Sequence, residues 1–169
     1  TAGLTHELNN PVAAVMRASA TLREMLAEMR DKGGVMVRSQ LPAHQLEAIA
    51  DLAGEALERR REAPILSPLE TSDREEELAD WMEDHGVTAA SAMAPTLVAA
   101  GVDLGWLQRF AEVLPPPHLE GGLSYPVRAL ESDALLDEIT EAAGRISELL
   151  ASVKQYTQMD RAPLQTFDV

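Results

Sequence analysis

Along the N-terminal stretch, apolar positions recur at alternating four- and three-residue steps. Leu4, Leu8, Val15, Leu22 and Met29 form one line, and Pro11, Ala18 and Met25 form the other. This is the heptad seam of a helical bundle or coiled coil. The spacing predicts a first helix from about Gly3 to Lys32, stopped by Gly33-Gly34. Pro11 falls inside it, where it removes a backbone donor and crowds the carbonyl four residues back, so a bend is expected around Leu8 to Pro11. A second long helix is predicted from about Pro126 to Asp160. Leu135, Ala142, Leu149 and Tyr156 form one line of its seam, and Ile139, Ile146 and Val153 form the other. Pro126 suits the first turn, and Pro163 with the extended-looking Leu164 to Val169 ends the helix.

Between these helices the pattern breaks into shorter pieces. Leu46, Ile49, Leu52, Ala53, Ala56 and Leu57 mark a helix that ends before Pro64. Ser72, with Glu75 three residues on, has the form of a capping box opening a helix that runs to about His85 and closes at Gly86. A further helix is expected from Ala89 to Ala100, with a bend at Pro95. Asp103 can cap a last one carrying Leu104, Leu107, Phe110 and Leu114, stopped by Pro115-Pro116-Pro117.

The expected fold class is therefore all-α: a long antiparallel helical hairpin with an inserted helical subdomain at its tip. Residues 1–34 are the first long helix, 35–125 the insert, 126–162 the second long helix and 163–169 a connection onward. A two-helix hairpin leaves one flank of each apolar stripe wet, so dimerisation into a four-helix bundle is the natural remedy, and a monomer in which the middle segment covers the stripes is the competing arrangement.

Composition narrows the functional classes. The chain has 28 acidic and 14 basic residues, a formal net charge of −14, which repels nucleic acid and anionic lipid at long range. Arg59-Arg60-Arg61 lies between Glu58 and Glu62 and reads as a solvated helix face. Aromatics make up 4% of the residues, which points to an aliphatic, helical core and against a β-sandwich. Trp81, Trp106, Phe110 and the methionines are expected to fill gaps in that core. With no cysteine there is no thiol catalysis and no disulfide framework. No apolar run is long enough to span a membrane and no signal peptide is evident, so a cytoplasmic location is expected.

The chemistry centres on Thr5-His6-Glu7-Leu8-Asn9-Asn10-Pro11. On the heptad register His6 points away from the seam, toward solvent. His6-Glu7 begins like a zinc-protease motif, but Asn10 stands where the second histidine would be, and His44, His85 and His118 lack ligand spacing; no metal site is expected. Neutral imidazole is a good nitrogen nucleophile near neutral pH. A carboxylate such as Glu7, accepting a hydrogen bond from one ring nitrogen, raises the nucleophilicity of the other. Phosphoryl transfer asks of its acceptor mainly exposure and orientation, and Asn10, one turn on, can hold a water or a phosphoryl oxygen.

This segment resembles the H-box of sensor histidine kinases of two-component systems, the phosphoacceptor segment of their dimerisation and histidine phosphotransfer domain. The stretch from about Ile146 onward, with Ala162-Pro163-Leu164 and Phe167-Asp168-Val169, resembles the end of that family's second bundle helix and its linker to an ATP-binding domain. The resemblance covers about Ala2 to Lys32 and Pro126 to Val169. It implies that His6 accepts the γ-phosphoryl group of ATP and passes it to a receiver-domain aspartate of a response regulator. It further implies that Glu7 acts as base or hydrogen-bond acceptor and that Asn10 positions water for dephosphorylation. ATP and Mg²⁺ would come with a separate ATP-binding domain, since nothing here resembles its asparagine-rich and glycine-rich boxes; the chain reads as a fragment that is not active alone. Its implied partners are a second copy, that ATP-binding domain and the receiver domain. The family joins its two helices by a short loop, so residues 35–125 are a departure from it. The competing reading is a non-catalytic helical dimerisation and partner-binding module in which His6 is incidental.

Overall fold

The structure, a computed structural model, describes the backbone over residues 2–38 and 41–159 and the side chains over residues 7–28 and 41–154. The chain is all-α, and among the described residues there is no strand. The helices are α1 (Ala2–Arg38), α2 (Ala43–Glu62), α3 (Pro68–Asp84), α4 (Ala90–Ala99), α5 (Leu104–Val113) and α6 (Pro116–Met159). None is long and apolar enough, among the described residues, to cross a membrane. The chain divides into two compact units, Thr1–Leu22 with Leu135–Val169, and Arg23–Ala134.

In the first unit the expected heptads set the burial. Pro11 and Ala18 are buried on α1, while Leu8 and Val15 are half-buried. On α6, Ala142 is buried and Leu135, Ile139, Ile146, Leu149 and Val153 are half-buried. Seam positions Leu4 and Tyr156 and the predicted terminus after Asp160 lie outside the described side chains. Beside each seam runs a second apolar set that no described residue covers: Val12 (42% exposed) and Met16 (68%) on α1, Leu136 (50%) and Leu150 (55%) on α6. Met16 thus departs from the expectation that every methionine fills a core gap.

The second unit carries the aliphatic core. Ile49 and Ala56 of α2, Leu78 and Met82 of α3, Leu97 and Val98 of α4, and Leu119, Leu123 and Leu130 of α6 enclose Trp106 and Phe110 of α5. The two rings lie 5.1 Å apart, tilted by 34°, and both are fully buried. The Trp106 indole N–H donates to the Leu52 carbonyl at 3.2 Å, so its one polar atom is satisfied inside the core. Among the described residues no polar or charged side chain is buried.

Local chemistry explains most helix ends. Gly86, at φ +83°, closes α3: the Val87 N–H reaches the Met82 carbonyl and the Gly86 N–H reaches that of Glu83, a Schellman arrangement requiring the left-handed region. Asp103 caps α5 as expected, its carboxylate accepting from the Trp106 N–H at 2.8 Å. Pro95 lies within a continuous α4.

Four expectations are corrected. Helix α1 continues through Gly33-Gly34 to Arg38. The capping box is not Ser72 with Glu75 but Ser67 with Glu70, and Pro68 at the first helical position makes the earlier start the better one. Helix α6 begins at Pro116, ten residues before Pro126, so the proline run that ends α5 also opens α6. Finally, the arginine triplet is not a solvated face. Arg59 pairs with Glu55 (2.9 Å) and Asp103 (3.1 Å), and Arg60 pairs with Asp133, which ties α2 to the start of α5 and to α6; only Arg61 is exposed.

Two adjacent glycines of α6 give opposite predictions. A Cβ on Gly122 would lie 2.1 Å from Leu114 Cδ1 and 3.1 Å from Phe110 Cε1, whereas one on Gly121 would meet nothing within 4 Å. Gly121→Ala is expected to stabilise by about 0.5–1 kcal/mol through backbone entropy. Gly122→Ala is expected to destabilise by about 1–3 kcal/mol, because overpacking against α5 outweighs the same gain. Urea midpoints of the two variants on either side of the parent would verify this; a shared sign would refute the close approach.

The Asp103 carboxylate also fixes a pH dependence. Partial burial pushes its pKa up, but the Trp106 N–H and the Arg59 guanidinium outweigh this and hold it below the ordinary aspartate value. A depressed folded-state pKa adds stability that is present above the unfolded value, about 3.9, and is lost as pH falls through the folded one. Asp103→Asn keeps the cap and loses the charge. The variant should therefore lose less stability than the parent between about pH 5 and pH 2, and identical denaturation curves across that range would count against the pair.

Candidate functional site

Helix α1 presents the segment singled out in the sequence. Glu7, Asn9 and Asn10 are exposed, Leu8 is half-buried and Pro11 is buried. The His6 backbone belongs to α1, and its side chain lies outside the described residues. Proline at position 11 has no N–H to offer, so the Glu7 carbonyl lacks its helical donor. The backbone next to His6 therefore carries an acceptor that a regular helix would have used. One turn separates His6 from both Asn9 and Asn10, and both amides face solvent.

The other histidines have structural surroundings. His85 caps α3, its ring stacked on Trp81 with centroids 3.8 Å apart and its Nδ1 2.7 Å from the Trp81 carbonyl oxygen. His44 is exposed in the first turn of α2. His118, in the first turn of α6, is half-buried, and its backbone N–H donates to the Pro115 carbonyl at 2.9 Å. Among the described residues no group of three or more His, Asp or Glu could hold a metal ion.

The second unit contains an open groove of about 340 Å³ whose polar lining includes Glu120, Ser124, Arg128 and Glu131. Its polar groups are engaged with one another. Glu120 accepts from the Thr88 N–H (2.7 Å) and hydroxyl (2.8 Å), Ser124 donates to the Glu120 carbonyl, and Arg128 pairs with Glu28 (2.9 Å) and Glu131 (3.2 Å). These bonds fasten α6 to α1 and to the α3–α4 turn, and the Ser124 hydroxyl is committed to the Glu120 carbonyl. The groove is thus part of the scaffold.

Sequence reasoning passed over the uncovered set Val12, Met16, Leu136 and Leu150. Its signal was present, since Leu136 and Leu150 stand two heptads apart and Val12 and Met16 one turn apart, each offset by one position from the seam. No family model, curated protein or solved structure matches the chain.

Proposed function

We propose that this chain is the phosphoacceptor and dimerisation core of a cytoplasmic two-component sensor histidine kinase, with His6 as the phosphorylated residue. The observation that carries this reading is the H-box sequence on two successive turns of α1, with Glu7, Asn9 and Asn10 exposed and Pro11 buried. His6 shares the helical register of the two exposed amides. In the reaction the neutral imidazole nitrogen of His6 forms a bond to the γ-phosphorus of ATP as the bond to the ADP leaving oxygen breaks, and Glu7 takes up the imidazole proton. A receiver-domain aspartate then displaces His6 from phosphorus, and the proton returns to the ring. Asn10 orients the water that attacks the regulator's aspartyl phosphate, breaking its P–O bond to release inorganic phosphate and the free aspartate. ATP and Mg²⁺ are held by a separate ATP-binding domain, the metal neutralising phosphate charge.

The uncovered apolar set on α1 and α6 supports an antiparallel hairpin that completes a four-helix bundle with a second copy. Burying what remains exposed of four such side chains is worth about half of the roughly 1.5–3 kcal/mol that full burial of each would contribute, before association costs. Met16→Glu combined with Leu150→Glu is expected to convert a dimer into a monomer in sedimentation equilibrium while leaving helicity intact. An unchanged dimer mass would remove this face from the interface. The phosphoacceptor assignment is tested by supplying a histidine-kinase ATP-binding domain with ATP and Mg²⁺ and finding acid-labile, base-stable phosphate on the chain.

A further inference from the structure

The connection between α2 and α3 displays two large aliphatic side chains with no cover: Ile65 is fully exposed (103%) and Leu69 is 72% exposed. This is not a loose loop. Pro64 and Pro68 restrict the backbone on either side, and Leu66 between them packs half-buried against the core. The Ser67 hydroxyl and N–H both bond the Glu70 carboxylate (2.7 and 2.9 Å), and the Thr71 hydroxyl reaches back to the Ser67 carbonyl at 3.0 Å. Glu70 is held below the ordinary carboxylate range chiefly by its hydrogen bond from the Ser67 side chain, so the clamp persists at neutral pH. With the backbone beneath the aliphatic pair already fixed, binding need not order the segment itself.

Asp73, Glu76 and Asp80 follow Leu69 at four, seven and eleven residues, the spacing of one helix face, and all are exposed. Helix α3 carries eight carboxylates and one cation, Arg74, and among the described residues no cation pairs with Asp73, Glu76 or Asp80. The charge decides the occupant. A second copy would set one acidic helix against another, and nucleic acid or anionic lipid would meet like charge. We propose that the Ile65–Leu69 shelf, continued by the acidic face of α3, docks a basic amphipathic helix of a partner protein. The partner's aliphatic residues seat on Ile65 and Leu69, and its Lys or Arg residues at helical spacing face Asp73, Glu76 and Asp80. This inference is independent of the phosphoacceptor reading and does not involve α1.

The probe is a short synthetic Leu/Lys peptide patterned as an amphipathic helix, with a Leu/Glu peptide of the same pattern as control. Titrations are followed by backbone-amide NMR and calorimetry at physiological ionic strength, where the Debye length is about 8 Å. The Lys peptide should bind, with perturbed amides confined to residues 62–84. Ile65→Ser with Leu69→Ser, and separately Asp73→Lys with Glu76→Lys, should each weaken it at least about tenfold. All four positions are exposed, so the circular dichroism of the variants should equal the parent's. The Glu peptide should not bind. Perturbations scattered over the acidic surface, an affinity indifferent to the aliphatic substitutions, or equal binding of both peptides would overturn the proposal. So would self-association of the parent chain that Ile65→Ser abolishes.

Discussion

His6→Ala is expected to bring transfer of the γ-phosphoryl group onto this chain to background, in the presence of a histidine-kinase ATP-binding domain, ATP and Mg²⁺. The effect should be all-or-none because the substitution deletes the proposed nucleophile, and none of the described histidines carries the same motif. His85 is engaged with the Trp81 ring and carbonyl, His118 is half-buried at the start of α6, and His44 has no H-box around it. Alanine is the best helix former, so α1 should persist, and unchanged circular dichroism and sedimentation mass would show that chemistry alone was lost. Acid-labile label surviving on the variant would place the acceptor elsewhere and leave the chain as a helical interaction module.

Trp106→Ala is expected to destabilise the second unit by about 3–5 kcal/mol, the range for deleting a fully buried large aromatic. That is a large share of the roughly 5–15 kcal/mol that holds a typical domain folded. Three losses combine. The cavity would sit between α2 and α5, the tilted contact with Phe110 disappears, and the Leu52 carbonyl loses its donor. Trp106→Phe retains the ring contact and should cost distinctly less. Urea unfolding followed by far-ultraviolet circular dichroism gives the comparison; a loss below about 1 kcal/mol for the alanine variant would contradict the central place given to this residue.

Particular residues show how far the primary structure could be read. The helical class followed from the heptads, since Ala18 and Ala142 are buried at the seam positions where the repeat puts them. Asp103 and Gly86 were legible because capping depends on the chemistry of three or four neighbouring residues. Ser72 with Glu75 and Ser67 with Glu70 have the same capping-box form, and choosing correctly required weighing Pro68, which suits a first helical turn and no later one. The start of α6 was missed for a different reason. Pro126 reads locally as a first-turn residue, whereas it lies inside α6, and the Gly122 backbone upstream lies against Leu114 and Phe110.

The candidate site divides along the same line. Its residue types, His6, Glu7 and Asn10, were visible as a motif, whereas the exposure of Glu7 and Asn10 came from the structure. The uncovered faces were not visible, because an apolar residue one position off the seam is covered or exposed according to what packs beside it.

What the sequence determined by itself is therefore what short-range physics controls: the all-helical class, the two heptad seams, the caps at Asp103 and Gly86, and the motif at the start of α1. Tertiary structure alone decided which surfaces are used up. It turned Arg59 and Arg60 from apparent surface charges into ties between helices, buried Trp106 with its N–H satisfied, and left Ile65, Leu69 and Met16 uncovered. Helix formation is settled within a few turns of chain. Burial and ion pairing depend on residues that are distant in sequence and meet only after folding, as Arg59 meets Asp103.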